Sequence, residues 1–150
     1  MARPVTLFTG QWADLPFTEI CRKTGEWGFD GLEMCTWGDH FDVHRMPRDS
    51  SYVEQHKETL RKNGLGCWSI GSHTRGQLVG DAADPRHAEF APPELAGKPD
   101  EIQKWAIDEM MATPAAAKAF GVDVVTGFMG SPIWAWWYSF PPTSEQQVAD

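Results

Sequence analysis

A histidine placed directly after an apolar strand is suited to moving a proton, because its ordinary pKa lies near neutrality. His73 stands in that position, after the run Leu65–Ser72. It can act as acid or base beside a carbonyl, or bond a hydroxyl; the plain alternative is a loop histidine bonded to backbone. Glu33 alternates with Leu32 and Met34 in a short apolar run. A carboxylate facing the inside of a sheet is costly unless paired or used, whereas one facing outward would pair with a helix arginine. Trp12, Trp37 and Trp134 each follow a strand-like run. Their flat apolar faces suit the C–H faces of sugar rings, and suit a packed core equally well. Gln77 and Asp81 come soon after His73 and either order its loop or reach a hydroxyl. Asp39 and His40 sit beside Trp37, but two adjacent residues do not make a metal site. Met129-Gly130-Ser131 offers small residues and backbone N–H groups at a strand end, able to cradle a hydroxyl or phosphate. There is no phosphate loop of the G-x-x-x-x-G-K-[ST] kind.

These residues need elements to position them. Pro4–Thr9, Gly31–Cys35, Leu65–Ser72 and Val122–Phe128 read as strands, the last apolar on both faces like a buried parallel strand. Phe17, Ile20, Cys21 and Thr24 recur at helical spacing after Pro16, and Gly25 and Gly28 weaken and end that helix. Val53, His56 and Leu60 mark the inner face of a second helix, capped by Ser50 or Ser51 and ended by Asn63-Gly64. Gly10–Leu15 and Thr36–Asp49 read as loops, the second of them polar, and His73–Lys98 as a long irregular stretch. A third helix opens at Pro99 and closes at Gly121, with Pro114 predicting a kink or a fresh start at Thr113. Thr143 or Ser144 would cap a fourth helix that has barely begun. Strand and helix alternate about four times, which predicts parallel strands joined by right-handed crossovers. The long loops follow the strands and the short ones precede them, as at the catalytic face of a barrel. The expected fold is α/β: a partial (β/α)8 TIM barrel over residues 1–150, truncated after its N-terminal half.

Composition excludes several classes. The chain has 150 residues and a net charge of −8, the wrong sign for a nucleic-acid partner. No apolar run is long enough to span a membrane, and the N-terminus has no signal-peptide core. Three cysteines without C-x-x-C spacing predict reduced thiols in a cytoplasmic protein. Cys35 and Cys67 lie in strands and read as inert core thiols.

Three segments carry a family likeness. Gly28-Phe29-Asp30-Gly31-Leu32-Glu33 is similar to an opening found widely in xylose isomerase-like barrels. Ser72-His73-Thr74-Arg75-Gly76-Gln77-Leu78-Val79-Gly80-Asp81 resembles the strand-3 exit of their sugar phosphate isomerase/epimerase members. Val124 to Trp134 resembles the strand-4 exit of the same group. The resemblance implies a sugar or sugar phosphate isomerase or epimerase that moves a proton or hydride next to a carbonyl, assisted by a divalent metal (Mn, Mg, Co or Zn). It implies a substrate-contacting role for His73. The family's metal ligands lie on strands five to eight, so no metal ligand is expected in this chain, and the isolated fragment is expected to be inactive. The expected partner is a small sugar or polyol, and a homo-oligomer is allowed. The competing reading is a non-catalytic α/β carbohydrate-binding or interaction module. A DNA-repair endonuclease of the same superfamily would need more early-strand histidines than His73 and a basic face.

Overall fold

The computed structural model describes residues 3–82 and 84–132. It divides into two compact units, one from Met1–Ser72 and Met111–Thr126, the other from His73–Met110 and the residues that follow Thr126.

The first unit holds a parallel four-stranded sheet in the order β1-β2-β3-β4: β1 Thr6–Phe8, β2 Gly31–Cys35, β3 Gly66–Gly71 and β4 Val125–Thr126. Consecutive strands are neighbours, as right-handed βα units require. Helix α1, Phe17–Glu26, buries Phe17, Ile20, Cys21 and Thr24, the stripe read from spacing alone. Helix α2, Ser50–Lys62, buries Tyr52, Val53, His56 and Leu60. Both helices end in the same device: Gly28 and Gly64 take φ of +81° and +69°, a region that Cβ-bearing residues avoid. The N–H groups of Gly28 and Phe29 then reach the Gly25 and Thr24 carbonyls, and those of Gly64 and Leu65 reach Arg61 and Leu60. These closures keep the turns before β2 and β3 short.

The helices pack on one face of the sheet. Leu32, Met34 and Ile70 are buried there among Phe17, Ile20, Val53, Leu60, Ala116, Ala117 and Phe120. By strand alternation the opposite face carries Phe8, Glu33 and Thr126.

Four local expectations are corrected. Asp49, rather than Ser50 or Ser51, caps α2, its carboxylate accepting from the Tyr52 N–H at 3.0 Å. The Ser51 hydroxyl, the Tyr52 N–H and Arg45 together hold that carboxyl down at about 2. The polar reading of Thr36–Asp49 misses Phe41, Val43 and Met46, all buried in the core. The stretch after Gly10 contains a 3-10 turn, Thr9–Trp12. The fourth strand shrinks to Val125–Thr126, and Val124 is half exposed rather than buried.

The second unit replaces the expected irregular stretch with helix α3, His73–Gly80, followed by 3-10 turns Pro85–Phe90 and Pro93–Leu95. Its small core is Leu78, Ile102 and Ala106, with Val79, Ala91, Leu95 and Trp105 against it. Helix α4, Pro99–Phe120, continues through Pro114 without restarting at Thr113. A proline costs a helix interior about 3 kcal/mol. Burial of Ile102 and Ala106 on one side of it, and of Ala116, Ala117 and Phe120 on the other, offsets that cost.

His56 makes stability depend on pH. Its ring stacks on Phe17 (centroids 4.5 Å apart) and meets Tyr52 at 4.1 Å. The Nδ1–H donates to the Tyr52 carbonyl at 3.0 Å, and buried Nε2 has no hydrogen bond among the described residues. Burial lowers the pKa below the ordinary 6.5, while nearby carbonyls, including those of Asp39 and His40, partly oppose it. The unfolded chain therefore binds the proton first. His56 contributes its stability above about pH 6.5 and loses it as pH falls through the depressed folded value. Urea midpoints measured from pH 8 to 5 are expected to fall for the wild type and to flatten in His56→Phe. Equal slopes in the two proteins would remove His56 as the cause.

Candidate functional site

Glu33 is the central polar residue of the sheet face turned away from the core. Its Oε2 accepts from the Ser69 hydroxyl at 2.7 Å and its Oε1 from the Thr126 hydroxyl at 2.9 Å. One carboxylate thus ties β2 to residues on β3 and β4. An irregularity between Leu32 and Glu33 sets Cys67 opposite Leu32 but Ser69 opposite Glu33, so Trp68 is the extra residue. The bulge brings Ser69 under the carboxylate. It also lays the Trp68 indole over Gly31 and Gly66, where a Cβ would meet the ring. At the other end of the strands, a Cβ on Gly71 would lie 2.5 Å from the Phe8 ring and 3.0 Å from Glu33 Oε1. Glycine there leaves the space that Phe8 occupies beside the carboxylate.

Trp37 meets the Phe8 ring edge-on at 5.7 Å, so Phe8 links it to the Glu33 neighbourhood. The backbone around Trp37 is held by a buried polar chain. His40 Nε2 lies 2.9 Å from the Leu15 carbonyl, which can only accept, so Nε2 carries the proton. Nδ1 is then the acceptor for the Thr9 hydroxyl at 3.0 Å, while Thr9 Oγ1 accepts from the Cys35 N–H. The Cys35 thiol in turn reaches the Trp37 carbonyl at 3.3 Å. His40 is fully buried with both ring nitrogens engaged, and Asp39 accepts from the Phe17 N–H at the start of α1. These two residues hold loops in place. Trp12 packs against the core and meets Trp27 at 5.9 Å. Burial pushes the Cys21 and Cys67 thiols up to about 12, which leaves them unreactive at neutral pH.

The second unit holds His73 as the first residue of α3. Gln77 follows one turn later, and Asp81 one turn after that, just past the helix end. Gln77 Nε2 donates to Asp81 Oδ2 at 3.1 Å, and the Ser131 N–H donates to Asp81 Oδ1 at 2.8 Å. His87 Nε2 lies 3.5 Å from the same carboxylate. Asp81 therefore joins α3 to the segment after β4. That segment lies directly on the helix: Gly130 N–H donates to the Gly76 carbonyl at 3.1 Å. Cβ atoms on Gly76, Gly80 or Gly130 would overlap backbone atoms of the facing strand of chain. The result fixes the Phe128 ring 4.7 Å from the His73 ring. Gly130 and Ser131 thus serve as packing and latch groups.

Of the residues singled out from sequence, Glu33 and Trp37 fall in the first unit near Phe8, and His73 and Gln77 in the second. Trp12 faces the core, and Trp134 lies outside the described residues, as do Thr143 and Ser144. Phe8, Ser69, Thr126 and Phe128 were not singled out. Alternation with Leu7 was the available signal for Phe8. The bulge that brings Ser69 to Glu33 leaves no mark in residue types. Among the described residues no three His, Cys, Asp or Glu side chains are grouped to hold a metal. No helix of the described residues is long and apolar enough to cross a membrane.

Residues 21–150 match the family model described as xylose isomerase-like TIM barrel, and the chain belongs to that family. Its four parallel strands and helices form part of such a barrel. Among solved structures it is similar to D-psicose 3-epimerase, determined in the presence of D-fructose, at 15% identity and a TM-score of 0.49. That match covers 98% of this chain and 44% of the other, so the chain spans less than half the length of this neighbour. No curated protein matches.

Proposed function

We propose that this chain carries the first βα units of a sugar- or polyol-processing enzyme of the isomerase or epimerase type. The observation that carries the reading is Glu33: a hydroxyl-bonded carboxylate on the sheet face opposite the core, in a member of the xylose isomerase-like family. Glu33 accepts from two hydroxyls, Ser69 and Thr126, and accepting from hydroxyls is the chemistry by which a carboxylate reads a sugar. His73, in the second unit, is suited to act as an acid or base or as a hydroxyl donor. Gln77 holds the His73 helix through Asp81, and in the first unit Trp37 offers an aromatic face near Glu33, through Phe8. Phosphorylated sugars belong to the same substrate class. A divalent metal would supply polarisation of the carbonyl; the family resemblance implies that its ligands lie on strands five to eight.

Calorimetry and ligand-observed NMR with D-fructose and myo-inositol test the reading, alongside epimer interconversion with Mn2+ or Mg2+. Binding is expected, and Glu33→Gln should weaken it about ten-fold, since hydrogen bonds to a charged group contribute about 1.5–3 kcal/mol. Where turnover is present, His73→Asn should lower kcat/KM about a hundred-fold. Binding without turnover selects the carbohydrate-binding module instead. Absence of binding across both ligands sinks the proposal.

A further inference from the structure

We infer that Phe128 is the stacking platform of the second unit, taking the C–H face of a sugar or cyclic polyol beside His73. This rests on the sugar-processing reading above and adds to it a contact residue that the aromatic pattern did not point to. Phe128 is 58% exposed, and Met129 after it is 79% exposed. A large apolar ring left in water is informative when the chain beneath it is fixed rather than loose. Here it is fixed on both sides. The Phe128 carbonyl lies where a Gly76 Cβ would be, and Gly130 bonds the Gly76 carbonyl at 3.1 Å. Ser131 is held by Asp81 at 2.8 Å. Two helix glycines, Gly76 and Gly80, admit this contact, although glycine weakens a helix. Among the described residues the ring is not part of the core of this unit, Leu78, Ile102 and Ala106 with their neighbours. Its partner is instead His73, at 4.7 Å and a tilt of 41°. An exposed aromatic face next to a hydrogen-bonding ring is the pairing that reads a sugar, apolar on its C–H face and polar at its rim.

The test uses D-fructose and myo-inositol on the whole chain. In the wild type, the Phe128 ring resonances should shift on titration with a ligand that binds. Phe128→Trp should bind as tightly or more tightly, while Phe128→Leu, which keeps an apolar side chain but no π face, should weaken Kd about three- to ten-fold. Equal binding by Phe128→Leu, or ring resonances that stay still while ligand binds, overturns the inference and leaves the broader function standing. A self-association of the wild type that Phe128→Leu abolishes also overturns it, by assigning the ring to an interface. If the wild type binds neither ligand, the broader function fails and the platform with it.

Discussion

Gly76→Ala is expected to lower the stability of the protein, against the sign that helix propensity gives. Alanine in place of glycine in a helix interior normally stabilises by about 1 kcal/mol. Gly76 is inside α3, so that gain is available in principle. The opposing effect is steric. A Cβ at position 76 overlaps the Phe128 carbonyl oxygen, a backbone atom that no rotamer change can move. Overpacking of this kind costs about 1–3 kcal/mol, and more where backbone must shift. The Gly130–Gly76 hydrogen bond at 3.1 Å would go with it. The steric effect wins, with a net loss of about 2 kcal/mol and a Tm lower by about 4–8 °C. Gly130→Ala meets the Gln77 carbonyl and should behave alike. Thermal unfolding decides by sign: a higher Tm for Gly76→Ala would mean that the segment after β4 does not lie on α3. The same variant should also separate Phe128 from His73, visible as lost ring-to-ring contacts in NMR.

How far the residues announced this structure differs from place to place, for physical reasons. Where burial follows one period, reading is easy. Phe17, Ile20, Cys21 and Thr24 sit at helical spacing and are all buried. Gly31–Cys35 is bounded as expected, because a five-residue apolar run between turn residues has few alternatives. The parallel order of strands follows from alternation. Helix α3 was hidden because its two glycines lower local propensity, while its stability comes from contact with a segment some fifty residues later, as the Asp81–Ser131 bond shows. Asp49 competed as a cap with two serines beside it, and only the geometry shows which oxygen meets the Tyr52 N–H. At the site, the inward direction of Glu33 was one of two alternatives. The hydroxyls that occupy it come from Ser69 and Thr126, far off in sequence, one through a bulge and the other at the end of a two-residue strand. Local patterns carry no information on such pairings.

Arg75→Met is expected to have the larger effect of the single substitutions, and its partner change should reverse much of it. The Arg75 side chain is 11% exposed and that of Glu109 10%, with Nε and Oε2 3.8 Å apart. The guanidinium also donates to the Phe90 carbonyl at 2.9 Å and lies over the Trp105 ring at 4.5 Å. It therefore clamps the Pro85–Phe90 turn and α4 onto α3. Removing one member of a buried pair leaves the other charge in a poor solvent, which costs about 3–5 kcal/mol. The 3.8 Å separation marks a charge contact rather than a short hydrogen bond, so the lower end of that range is expected. Glu109→Gln removes the charge but keeps the shape, and should cost less. Replacing both residues with methionine removes the desolvation of two charges and restores apolar packing against Trp105. Its stability should return to within about 1–2 kcal/mol of the wild type, giving a coupling energy of about 2 kcal/mol or more. Urea denaturation of the four proteins at one pH measures that coupling. Additive losses would show that Arg75 acts through contacts other than Glu109; a loss below about 1 kcal/mol for Arg75→Met would place the pair with surface ion pairs.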